Sequence, residues 1–300
     1  MTQGTPPAEV EITVTLVRNL LADQHPDLAA LPITPLDSGW DNAMFRLGDG
    51  LVVRLPRREI AAQLILNEQN WLGVVARDLP IPCPVPVRVG VPGCGYPWSW
   101  SVLPWLPGQT ADLAAPSHHQ ATILGEFLRQ LQVDAPENAP KNLVRGGPLA
   151  ERAATVEPRL ARLSEVLGPL AAPLRAVWDA ALAAPATPKR VWLHGDLHAR
   201  NVLVDSGIFS GIVDWGDITS GDCATDLAAF WALFEDKEAR RAGLAAFQAS
   251  DAEIARGMGW AVLFGSILLE TGLTDNSRHA KMGADTLRRV AEEFVAVGGN

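Results

Sequence analysis

Residues 8–24 place Ile12, Leu16, Val17, Leu20 and Leu21 at helical spacing, which predicts an amphipathic helix ahead of the first sheet. Apolar residues then fall in three short runs, 33–37, 43–47 and 51–55, separated by the turn signals Ser38-Gly39-Trp40-Asp41-Asn42 and Asp49-Gly50. Short strands joined by tight turns predict an antiparallel meander. From 59 to about 76, Ile60, Leu64, Leu66, Trp71, Leu72 and Val75 predict one long helix.

Between 79 and 108 eight prolines, at 80, 82, 84, 86, 92, 97, 104 and 107, break any helix. Extended pieces at 85–91 and 98–103 predict two more strands, the first at a sheet edge because proline cannot donate to a ladder. Beyond Leu106-Pro107-Gly108 the pattern is mainly helical: 120–132, 151–167 with a break or kink at Pro158, and 170–183. A strand-rich island at 191–217 interrupts the helices, which resume from 225 to the end. The expected organisation is an α+β chain with a small antiparallel β-rich part over 1–103, a proline-bounded hinge at 104–108 and a large helical part over 109–300.

Composition narrows the function. Asp and Glu number 34 against 25 Lys and Arg, a net charge of -9. That acidity argues against sequence-independent binding of nucleic acid, which needs clustered cations. Only four cations are lysines, and none precedes Lys141. Cys83, Cys94 and Cys223 form no CxxC pair, which fits a reducing compartment. The start MTQGTPPAEVEI lacks the basic and apolar blocks of a signal peptide, and the apolar stretch 257–269 is shorter than the ~20 residues that span a bilayer. A cytoplasmic protein that contacts neither nucleic acid nor membrane is expected.

The island carries the chemistry. It reads His194-Gly195-Asp196-Leu197-His198-Ala199-Arg200-Asn201, a strand, a turn at 205–207, a second strand, then Asp214-Trp215-Gly216-Asp217. Acids beside buried strands are costly unless something compensates them. A single Asp often does no more than cap a turn, but two acids and an Asn in this spacing have a chemical use. Phosphoryl transfer needs hard oxygen ligands for Mg²⁺, a carboxylate to orient the attacking hydroxyl, and a cation on the nucleotide phosphates. Asp196, Asn201 and Asp214 are of the types the first two roles require, and the hairpin over 202–213 returns the chain so that Asp214 can face the other two.

HGDxxxxN followed by a strand pair and DWGD resembles the catalytic core of the aminoglycoside phosphotransferase family, whose members have a two-lobed protein-kinase-like fold. The resemblance extends over nearly the whole chain and rests on 191–231. It implies Asp196 as catalytic base, Asn201 and Asp214 as Mg²⁺ ligands, His194 as a scaffold residue, and Asp226 as a brace for the catalytic loop. It implies ATP or GTP as co-substrate, with Ser38 in the hairpin loop laid over the phosphates. Kinases carry on their third strand a lysine that meets the phosphates and pairs with a glutamate on the next helix. Here Arg54 is the cation at that position and Glu68 its expected partner, a departure because arginine differs in length and geometry. In the hinge, Trp105 and Leu106 are the expected backbone contacts to the base.

Other readings compete. His194, Asp196 and His198 alternate like a transition-metal cluster, which would make Asn201 and Asp214 superfluous. GxGxxG after a strand, a P-loop and GxSxG are all absent from the sequence. A kinase-like protein that binds nucleotide without turnover is the second class, and Arg54 is the feature that favours it. As for the acceptor, Asp205, Asp217, Asp222, Glu235 and Asp236 lie in a segment without Lys or Arg before Lys237. They form either a cleft for a small cationic acceptor, aminoglycoside-like or macrolide-like, or a solvated acidic face. Asp217 is the one expected beside the acceptor. Choline, amino-alcohol and sugar kinases share or resemble this scaffold.

Overall fold

The computed structural model describes residues 7–36, 41–187 and 189–298. Helix α1 (Val14–Gln24) is capped by the Thr13 hydroxyl and buries Val17, Leu20 and Leu21. Strands β1 (Ile33–Pro35), β2 (Asn42–Leu47) and β3 (Leu51–Pro56) form the expected antiparallel meander. Helix α2 (Glu59–Val75) follows, then β4 (Arg88–Gly90) and β5 (Trp100–Pro104). The sheet order β1-β2-β3-β5-β4 puts the proline-flanked β4 at an edge and β3 in the interior.

Side chains alternate across β3, so Val53 and Leu55 enter a small core with α1, Phe45, Trp100 and Val102. Arg54, between them, emerges on the opposite face. Helix α2 does not belong to that small core. Its Leu72, with Ile81 beyond it, joins the large core of the helical part, and Trp71 meets Trp192 with ring centroids 5.0 Å apart. The stretch 1–103 is therefore divided between two cores.

After β5 the chain crosses at 105–108 to β6 (Gln109–Thr110), which pairs with β8 (Val202–Asp205). The helical part contains α3 (Gln120–Leu131), α4 (Ala153–Arg162), α5 (Ser164–Leu167), α6 (Ala171–Ala183), α7 (Ala224–Leu227), α8 (Ala229–Leu233), α9 (Lys237–Phe247), α10 (Asp251–Asp275) and α11 (Ser277–Gly298). Helix α4 runs through Pro158, and the break falls at Leu163 instead. A proline forfeits one backbone bond, and here burial of Val156 and Leu160 on either side keeps the helix intact. Strand β7 (Val191–Leu193) pairs with β10 (Thr219–Gly221), and β8 pairs with β9 (Ile208–Ile212). By length and composition, Ser164–Ala183 and α10 could each cross a membrane. In the fold α10 buries Trp260, Ala261, Val262 and Leu269 in the large core. The three cysteines are free.

Candidate active site

Strand β7 ends at His194, and the next residues turn sharply. Gly195 has φ +85°, and a Cβ there would lie 2.6 Å from the Asp217 carbonyl oxygen, so only glycine fits. Asp226, from α7, holds the turn by accepting the N–H of His194 (2.7 Å) and of Gly195 (2.9 Å). Burial pushes the Asp226 carboxyl up from its ordinary range, against the pull of His194 and these two N–H groups. His194 is fully buried. Its Nδ1 accepts the Asp196 N–H (3.2 Å), which leaves Nε2 to donate to the Val213 carbonyl (3.0 Å), and its ring lies on Trp215 with centroids 4.7 Å apart. His194 thereby ties the Asp196 segment to the Asp214 segment. Its partners leave no nitrogen for a metal.

Asn201 makes a second tie. Its Nδ2 donates to the Asp196 carbonyl (2.9 Å), and its own carbonyl accepts the Val213 N–H (2.9 Å). Among the described residues nothing donates to the Asn201 amide oxygen. Asp214 follows Val213 in the left-handed region, φ +61°, which turns its half-exposed carboxylate towards β3. There Arg54 Nη2 reaches Asp214 Oδ1 at 2.5 Å while Nη1 reaches Glu68 Oε2 at 2.7 Å. Asn42, with its amide turned so that the oxygen accepts, takes Arg54 Nε (3.1 Å) and Nη2 (2.9 Å). Glu68 Oε2 also accepts the Trp215 N–H at 3.2 Å. Burial acts to lower the Arg54 pKa, but Glu68 and Asp214 outweigh it and hold the guanidinium charged.

Asp196 is approached by Arg145 and His198. Arg145 Nη2 lies 2.9 Å from Oδ1, and His198 Nε2 lies 3.4 Å from Oδ2. Burial would raise its pKa, yet His198 and Arg145 together keep the carboxyl well below the usual range. Asp217 behaves oppositely: burial, then the charge of Asp196, pushes it up, although Asn142 Nδ2 donates to its Oδ1 at 2.7 Å.

Asn201 and Asp214 provide hard oxygen donors in the number that suits Mg²⁺, which takes one or two carboxylates and fills its shell with phosphate oxygens and water. Among the described residues no three His, Cys, Asp or Glu side chains converge as metal ligands. In the His194-x-Asp196-x-His198 alternation, both ring nitrogens of His194 are engaged by Val213 and Asp196 backbone groups.

The sequence model of the phosphotransferase enzyme family matches residues 32–260. The chain belongs to this family. No curated protein matches it in sequence. Among solved structures, the GDP complex of aminoglycoside 2'-phosphotransferase-IIIa superposes with a TM-score of 0.69 at 17% identity, over 94% of this chain and 99% of that one. The apoenzyme of macrolide 2'-phosphotransferase MphH from Brachybacterium faecium gives 0.59 at 23% identity, over 91% and 97%. Aminoglycoside phosphotransferase APH(3'')-Id from Streptomyces rimosus gives 0.54 at 20%, over 94% and 99%. These likenesses bear out the kinase-like fold expected of a member of the phosphotransferase enzyme family.

Most of the expected site residues of this family member converge: Arg54, Glu68, His194, Asp196, Asn201, Asp214 and Asp226 form one network, and Asp217 is bonded beside it to Asn142. Ser38 lies outside the described residues. The Trp105 N–H is taken by the Gly50 carbonyl (2.8 Å), and its half-exposed ring lies 3.8 Å from the Arg46 guanidinium. Leu106 keeps a backbone N–H with no acceptor among the described residues, and its side chain packs on Gly211. Three acids of the acidic segment serve the fold instead. Asp222 pairs with Arg256 (2.6 Å), Glu235 with Arg288 and Arg289 (2.7 and 2.8 Å), and Asp236 caps α9. Sequence reasoning missed Asn42, Asn142 and Arg145. The local signal for Arg145 is its place before Gly146-Gly147, a glycine pair in the stretch between two helical segments.

Proposed function

We propose that this phosphotransferase moves the γ-phosphate of ATP or GTP to a hydroxyl of a small molecule, with a cationic, aminoglycoside-like or macrolide-like acceptor favoured. The observation that carries the reading is the unbroken chain of contacts from Glu68 and Arg54 through Asp214 and Val213 to Asn201 and Asp196. It links a buried phosphate-binding cation, a pair of oxygen ligands and an ionised carboxylate.

In the proposed reaction Asp196 orients the acceptor hydroxyl and takes its proton. The hydroxyl oxygen bonds to the γ-phosphorus, the bond to the β–γ bridging oxygen breaks, and a nucleoside diphosphate leaves. Arg54 stays charged and reaches the phosphates on turning from Asp214, while Glu68 keeps its fork in place. Asn201 and Asp214 would hold Mg²⁺, which would supply charge neutralisation at the phosphates. Leu106 in the 104–108 crossing offers its free N–H to the base. His194 and Asp226 support the loop, and Asp217 meets the acceptor. Rate enhancement comes from positioning and fixed charge. Structural relatives solved in complex with GDP and with ATP support either nucleotide, and relatives solved with kanamycin and streptomycin support the acceptor class.

A second reading, nucleotide binding without turnover, draws on the Arg54 fork, which is already divided among Asn42, Glu68 and Asp214. The deciding measurement is Mg²⁺-dependent nucleoside diphosphate release, with a panel of aminoglycosides, macrolides and amino-alcohols, by the parent and by Asp196→Asn. Phosphoryl transfer predicts acceptor-stimulated release that falls at least ~100-fold in Asp196→Asn. Near-parental turnover by that variant would remove Asp196 as the base. Binding without release in both proteins would leave the second reading.

A further inference from the structure

Residues 140–146 lie against the strand that leads out of the site, and the packing is too close to be incidental. The Pro140 carbonyl accepts the Ser220 N–H (3.1 Å), Thr219 Oγ1 accepts the Asn142 N–H (2.9 Å), and the Gly146 carbonyl accepts the Asp222 N–H (2.9 Å). Gly146 has φ +71°, and a Cβ on Gly221 would lie 2.2 Å from the Gly146 oxygen, so the two backbones interlock. Thr219 to Gly221 is β10, whose partner β7 runs directly into Asp196. The segment, β10 and β7 thus form one unit, with Asp196 just beyond β7 and Asp217 just ahead of β10.

Two side chains of the segment point into the site. Asn142 Oδ1 accepts the Val144 N–H (2.9 Å), which fixes the amide orientation, so Nδ2 donates to Asp217 Oδ1 (2.7 Å). Arg145 sits with its guanidinium 4.7 Å from the centre of the Phe264 ring, on α10, and donates to Asp196 Oδ1 (2.9 Å). Each carboxylate has its shortest side-chain hydrogen bond on one oxygen, Oδ1. On Asp196, Oδ2 has only the longer approaches of His198 (3.4 Å) and Asn201 (3.5 Å). On Asp217, Oδ2 has no donor among the described residues.

We propose that residues 140–146 are an acceptor-side clamp, in which Arg145 and Asn142 are positioning residues that each pin one oxygen of Asp196 and Asp217 and leave the other to the acceptor. The inference rests on the phosphotransferase reading and deepens it. Asp196 Oδ2 is the oxygen that meets the reacting hydroxyl. Asp217 Oδ2 takes a second donor of the same molecule, an amine or a further hydroxyl. A bidentate or stacked arginine is not replaceable by any cation at no cost, but lysine keeps the charge on Asp196, so the clamp predicts graded effects. Glutamine removes the charge and frees the Asp196 rotamer.

The test uses the full-length protein and its Arg145→Gln, Arg145→Lys, Asn142→Ala and Asp196→Asn variants. Release of ADP or GDP is followed with Mg-ATP or Mg-GTP and kanamycin, erythromycin, choline or water alone as acceptor. Misplacing the carboxylate lowers kcat by about 10- to 100-fold in Arg145→Gln, with nucleotide KM unchanged, partial rescue in Arg145→Lys, and a rise in hydrolysis relative to transfer. Asn142→Ala raises acceptor KM more than it lowers kcat. Parental kcat in Arg145→Gln, an equal loss in Arg145→Lys, or a parallel rise in nucleotide KM would overturn the clamp. If Asp196→Asn is inactive while Arg145→Gln is parental, the clamp alone falls. If Asp196→Asn turns over at the parental rate, or the parent releases no ADP or GDP with any acceptor or with water, the phosphotransferase reading falls and takes the clamp with it.

Discussion

Arg54 is nearly inaccessible, at 4% exposure, and its charge is answered by Glu68, which is fully buried. Removing one partner of a buried pair leaves the other uncompensated, at a cost of about 3–5 kcal/mol. Asp214 and Asn42 remain for Arg54, so Glu68→Ala is expected near the lower figure, about 3 kcal/mol, read as a lower urea midpoint with unchanged slope. The same variant raises nucleotide KM, because the guanidinium loses the group that aims it. Pairing at this site was legible in outline: a cation mid-strand between apolar residues, at the place of the kinase lysine, matches Glu68 in the middle of the next helix, whose other glutamate, Glu59, stands at its first residue. The further sharing of the fork with Asn42 and Asp214 was not legible. It depends on a left-handed residue that brings Asp214 back across 160 positions of sequence.

Helix α10 shows what local chemistry decides at the level of an element. Its N-terminus is a capping box in which Ser250 and Glu253 satisfy each other's backbone N–H groups. Burial of Glu253 raises its pKa, but these hydrogen bonds outweigh it and hold the carboxyl below its ordinary range. Ser250→Ala is expected to lower stability by about 1 kcal/mol, measured as a fall in the thermal midpoint with activity retained. Strand and helix periods gave the meander, α2 and the catalytic hairpin, since each is a short-range pattern. Periodicity did not reveal that α4 passes through Pro158 and stops at Leu163. That outcome depends on which neighbours bury Val156 and Leu160, a matter of packing that no local pattern encodes.

In the whole molecule, the C-terminal helix is bound to the loop after α8 by ion pairs. Glu235 accepts from Arg288 and Arg289, and hydrogen bonds from Arg288 and then Arg289 hold its carboxyl down at about 2. Because the folded value lies below the unfolded one, the stabilisation is complete above the ordinary glutamate value of 4.5 and disappears as pH falls to about 2. Glu235 is exposed, so the effect is small and screened by salt. The denaturation midpoints of the parent and Glu235→Gln are expected to differ at pH 6 and to converge near pH 2. The family and the two-lobed plan were legible in the sequence by itself, through period and motif spacing, and the resemblance those motifs carry, with the absence of any lysine before 141, is what singles out Asp196, Asn201, Asp214, Arg54 and Glu68 as candidates. Tertiary structure alone decided that α2 shares the large core, that Gly50 captures the Trp105 N–H, and that Arg145 and Asn142 hold Asp196 and Asp217. Those pairings join residues 51 to 75 positions apart. They arise from the interlocking of Gly146 and Gly221 against β10, a close approach between backbones that leaves no periodic trace along the chain.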